Sequence, residues 1–127
     1  MTLVEHMRAM ARNNAWANHR LLTACGKLSE ADYKATRTSF FPSVHLTLNH
    51  VLIVDWYYLD ALEDGGLGQR AYETEEPCAS FAALDAAQRA SDRKLIGYTD
   101  RLAPETLAER VDLDRGPRGI KRETAAA

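Results

Sequence analysis

Between Leu3 and Cys25, Leu3, Met7, Met10, Ala11, Asn14, Ala17, Asn18, Leu21 and Leu22 fall on one stripe at a spacing of three or four residues. This predicts an amphipathic helix with Glu5, Arg8, Arg12, His19 and Arg20 on its other side and Gly26 at its C-cap. Asn14 and Asn18 break the stripe with amides. Trp16 projects from the outer face and needs cover from another helix or subunit.

A second helix is expected to begin near Phe41, Pro42 and Ser43, where proline suits a first turn, and to run to about Glu63 before the glycines of 65–68 stop it. Laid out at about 100° per residue, it has Val44, Leu48, Val51, Tyr58 and Leu62 along one face and His45, Asn49, Asp60 and Glu63 opposite. Asp55 falls in the middle of the apolar face. The stretch from Glu63 to Ala79, rich in Gly and Glu and containing Pro77, reads as an exposed connection.

The third helix starts at Ser80 as N-cap and carries Phe81, Leu84, Gln88, Ser91, Leu95, Tyr98 and Leu102 at alternating three and four spacing. Beyond Pro104 the periodicity fades. Leu107, Val111 and Leu113 can support a short turn or strand, and Arg115-Gly116-Pro117-Arg118-Gly119 cannot continue a helix. Residues 115–127 read as a disordered tail after one domain spanning 1–114.

Three amphipathic helices with short or moderate loops make an all-α antiparallel helical bundle. The second helix is apolar around most of its circumference, so it expects neighbours on several sides: a fourth helix or, in its absence, a partner chain. A chain of 127 residues holds a single core. With 27% charged residues and a net charge of −2, no field steers it to nucleic acid or to a membrane. Charges interrupt every apolar run of the first fourteen residues, so neither a secretory segment nor a span of about 20 apolar residues can be placed there. A cytoplasmic protein is expected, with Cys25 and Cys78 reduced and serving as packing residues.

Imidazole is the commonest transition-metal ligand, so the four histidines are sorted by face. His6, His19 and His45 fall on polar sides and read as surface residues. His50 flanks the apolar face of the second helix with Ser43, Thr47, Val54, Tyr57 and Ala61 and can point toward a cleft; the plainer alternative is a histidine hydrogen-bonded within the bundle. Asp55, with the amides of Asn14 and Asn18 as donors, suggests a buried network clamping the first helix to the second. Asp55 stands roughly 140° around the helix from His50, so the two do not share a ligand face. No nucleophile stands out, and the catalytic residues are unknown.

Two segments carry a resemblance. Asn14-Ala15-Trp16-Ala17-Asn18-His19-Arg20-Leu21 is similar to an N-x-W-A-N-x-x-L stretch, and the run from Ser43 to Asp55 to an S-x-H-x-T-L-N-H-x-L-x-x-D stretch, both of the DinB family. The resemblance implies a four-helix bundle, often dimeric, holding a divalent metal such as zinc or nickel with three histidines. His50 matches the ligand from the second helix, and His45 keeps its outer-face assignment. The other two ligands would form an H-x-x-x-H pair on the last helix, where i, i+4 spacing puts both imidazoles on one side.

No histidine follows His50. The fourth helix is therefore expected to be absent or degenerate, as though truncated or shifted in reading frame at Asp114 to Gly119. Two functions compete: a divalent-metal enzyme, hydrolase or thiol-dependent transferase, with an incomplete three-histidine site and an unnamed small-molecule substrate; or a non-catalytic homodimer that keeps the scaffold alone and buries the second helix and Trp16 between subunits.

Overall fold

A computed structural model describes residues 1–127. The fold is mostly helical, with four α-helices, α1 (Leu3–Cys25), α2 (Glu30–Lys34), α3 (Val44–Leu62) and α4 (Phe81–Asp100), followed by a hairpin of β1 (Arg110–Asp114) and β2 (Ile120–Thr124). The three long helices lie where the periodicity places them. Each starts with a hydroxyl cap: Thr2 accepts from the Glu5 amide while Glu5 bonds back to the Thr2 amide, Ser43 accepts from Leu46, and Ser80 from Ala83. Ser43 is thus the N-cap of α3, and Pro42 lies before the helix rather than in its first turn. Gly26 caps α1 in a right-handed conformation.

The packing order is decided by α4, which lies against both α1 and α3, while α1 and α3 meet little directly. The guanidinium of Arg8 donates to the carbonyls of Thr99, Asp100 and Leu102, satisfying the free carbonyls at the C-terminal end of α4, where a cation is favoured. Arg12 forms a two-pronged bond to Asp100 at 2.9 and 3.0 Å beside it.

The core has two parts. Leu22, Tyr33, Leu48, Leu52, Cys78 and Leu84 close one end around α1, α2, α3 and α4. Ile53, Tyr57, Ala71, Val111 and Leu113 close the other, where α3 is covered by a 3₁₀ turn (Gly68–Tyr72) and by β1. The 63–79 connection is therefore not merely exposed, since Ala71 and Cys78 are buried.

Residues 115–127, expected as a disordered tail, instead continue through a 3₁₀ turn (Gly116–Arg118) into β2, which pairs antiparallel with β1 from Arg110↔Thr124 to Asp114↔Ile120. The fold is thus not all-α. The hairpin is fastened to α3 by the Tyr57 hydroxyl, which donates to the Asp114 carbonyl at 2.5 Å, and Gln69 donates to the same oxygen at 2.7 Å. Gly68 sits at φ 53°, and a Cβ there would fall 2.6 Å from the Asp114 carboxylate, so this contact needs glycine. The neighbours that α3 requires on its far side are a turn and a hairpin.

The face assigned to α3 from its apolar residues is rotated from the one observed. Val51 and Tyr58 are 38% and 47% exposed, whereas His45, Asn49, Leu52, Ile53 and Tyr57 are buried. A helix apolar nearly all round does not reveal its inner side, and here that side is chosen by α2 and by the chain around Cys78. No helix is long and apolar enough to cross a membrane.

Candidate functional site

His50 is half-buried at the wall of a cleft of about 450 Å³ between the start of α3 and the 72–75 segment. One wall is the Phe40-Phe41-Pro42 approach to the helix, held in a turn by the Arg37 amide donating to the Pro42 carbonyl at 2.8 Å. The Phe41 ring stacks on the imidazole, with centroids 4.2 Å apart and planes at 26°. The opposite wall, with Tyr72, Thr74 and Glu75, is positioned by Asn49. Its amide accepts from the Cys78 N–H at 2.9 Å and donates to the Cys78 carbonyl at 3.2 Å, as a paired strand would.

His45 is not a surface residue. It is 4% exposed, its Nε2 lies 2.8 Å from Glu76 Oε1, and its ring meets Tyr33 edge-on at 5.2 Å. Tyr33 belongs to the short α2, one turn that periodicity does not reveal, and it covers the sector of α3 read as solvent-facing. His6 and His19 are exposed as expected, with His19 Nδ1 2.8 Å from an Arg89 nitrogen.

The polar network exists with a different centre. Asn14 and Asn18 donate to Asp92 on α4, at 3.3 Å and at 3.0 and 3.1 Å, and not to Asp55. Gln88 links the two acids, donating to Asp92 at 3.1 Å and to Asp55 at 2.8 Å. The clamp therefore joins α1 to α4 and reaches α3 only through Gln88, because α1 packs on α4. Asp92 escapes a reading that follows apolar stripes, although its place four residues after Gln88 puts it on that inner face.

Burial raises the pKa of Asp55, with Gln88 opposing and the nearby Asp92 adding to the rise; burial likewise raises Asp92. The folded chain thus holds the Asp55 proton more tightly than the unfolded chain does. The charged group costs stability fully above its folded pKa, and that cost fades as pH falls through the folded value toward the ordinary 3.8. Asp55→Asn keeps an acceptor for Gln88 and removes the charge. It is expected to raise the melting temperature at pH 7, with the gain vanishing near pH 4; an equal gain at both values would rule the charge out as its source.

The donors do not fit a three-ligand metal centre. Nowhere do three His, Cys, Asp or Glu side chains gather closely enough to hold an ion, and in the His50 cleft the one other such residue is Glu75. Cys25 and Cys78 are free, and burial pushes both thiols up, away from the reactive thiolate. What the cleft offers is an aromatic and apolar lining with an imidazole and a carboxylate.

The model of the DinB family matches residues 3–123. No curated protein and no solved structure matches the chain.

Proposed function

The chain belongs to the DinB family, and from that premise we propose that it keeps the helical scaffold as a non-catalytic, dimerising module in which His50 serves a small-molecule cleft. The observation that carries this reading is the surroundings of His50: its ring lies flat against Phe41, and no set of three ligating side chains forms around it or elsewhere. The competing divalent-metal enzyme, a hydrolase or a thiol-dependent transferase, would need further protein donors for zinc or nickel, such as those of a second copy.

Homodimerisation is part of the proposal. Met10, Trp16 and Leu21 on α1 and Val51 and Tyr58 on α3 are each more than a third exposed, apolar side chains on two helices that association would cover. Trp16 is shielded on one side by the Arg20 guanidinium, 4.9 Å from its ring centre. The module is expected to act in the cytoplasm, where both thiols stay reduced.

Metal analysis and light scattering on the purified chain and on His50→Ala test the reading together. Far less than one zinc or nickel per chain in both proteins, with a dimer in both, is expected. Stoichiometric metal that disappears in His50→Ala would restore the metalloenzyme, and a monomer at micromolar concentration would remove the dimer.

A further inference from the structure

The His50 cleft has a chemical bias that its family membership does not explain. Phe40 is 91% exposed, with no packing role inside the fold, and meets Phe41 edge-on at 4.9 Å. Tyr72, 42% exposed, lines the same space from the other side, so three aromatic rings border one opening. No lysine or arginine lines the cleft. Its charged wall residue is Glu75, which forms no ion pair within the chain, unlike the neighbouring Glu76, held by His45. The His50 ring nitrogens are likewise uncommitted, since the histidine hydrogen bonds of the chain belong to His19 and His45.

Each class of occupant meets these groups differently. An anion would face Glu75 with no cation to balance it. A neutral apolar molecule would strip water from Glu75 and return nothing. A cation with an apolar shell satisfies both, because ring faces attract it and a carboxylate balances it. The volume of about 450 Å³ suits a small organic molecule and is far larger than a bare ion needs.

We propose that this cleft binds an organic cation of the alkylammonium class, its methylated head among Phe40, Phe41 and Tyr72, its charge balanced by Glu75, and a polar substituent reaching the free imidazole of His50. The proposal rests on the reading of the His50 cleft as a ligand pocket.

Isothermal titration with choline, and with 3,3-dimethyl-1-butanol as a neutral molecule of the same shape, isolates the charge. Choline is expected to bind about tenfold more tightly than the alcohol. Glu75→Gln, a substitution at an exposed position that leaves the fold intact, should weaken choline several-fold and leave the alcohol unchanged. Phe41→Ala, with its helicity checked by circular dichroism, should weaken both. Equal binding of choline and the alcohol, no binding of choline, or an unchanged affinity in Glu75→Gln would each overturn the proposal. Metal content measured on the same samples separates the two readings. Stoichiometric zinc that His50→Ala retains, with the choline preference intact, sinks the non-catalytic reading and supports this one, whereas metal-free protein without that preference sinks this one alone.

Discussion

Asn49→Ala is expected to lower the unfolding free energy by about 3 to 5 kcal/mol, combining two buried backbone groups left unpaired with a small cavity. Asn49 is 0% exposed, and its amide pairs with both the N–H and the carbonyl of Cys78 while also donating to the His45 carbonyl at 2.9 Å. Alanine offers no partner to Cys78, and water cannot reach a fully buried position beside Cys78 of the core without opening it. Asn49→Asp separates hydrogen bonding from packing. The carboxylate accepts from the Cys78 N–H but confronts its carbonyl, so at pH 7 this variant should be as unstable as alanine. On acidification the protonated acid can donate again, and stability should partly return relative to wild type. Urea midpoints at pH 7 and pH 5 check both expectations, and an Asn49→Ala loss under about 1 kcal/mol would mean that the Cys78 groups find other partners. Because Asn49 also anchors the wall bearing Tyr72 and Glu75, amide exchange over residues 72–78 should accelerate in both variants.

Asn49 also shows where sequence reading succeeds and where it stops. Ser80 was legible as a helix start because a hydroxyl ahead of an apolar periodicity acts locally, whereas the start of α3 was placed near Ser43 on the cue of Pro42, which lies before the helix. The side of α3 that faces inward was not legible, because that choice is made by Tyr33 of a one-turn helix and by Cys78, residues 12 and 33 positions away from His45 in the chain. His45 and Asn49 therefore read as outward, and Val51 and Tyr58 as inward. Leu107, Val111 and Leu113 left a short turn or a strand open, and the partner of β1, Ile120-Lys121-Arg122-Glu123-Thr124, is almost wholly exposed, so that a strand with no buried face leaves no periodicity to read. For the site, the place of His50 beside the apolar face suggested a cleft, while the aromatic wall depends on how the turn before Ser43 brings Phe40 and Phe41 back over the helix.

Asp92→Ala is expected to cost about 3 kcal/mol, with Asp92→Asn falling between it and wild type. Asp92 is 5% exposed and accepts from three amides, those of Asn14, Asn18 and Gln88. Alanine leaves the Asn14 and Asn18 amides without an acceptor at the contact between α1 and α4, while Gln88 keeps its bond to Asp55. Asparagine restores one oxygen but turns an NH₂ group toward donors, since Asn18 bonds both carboxylate oxygens. Asp55 shares the helix core but receives one amide only, from Gln88. The same Asp→Asn change is therefore expected to destabilise at 92 and to stabilise at 55. Burial raises the pKa of both acids, so burial alone predicts the same sign at the two positions. Opposite signs in paired thermal melts at pH 7 would establish that the number of donors around each carboxylate decides the outcome, whereas a gain in both variants would make desolvation the stronger effect and reduce the amide clamp to a minor contribution.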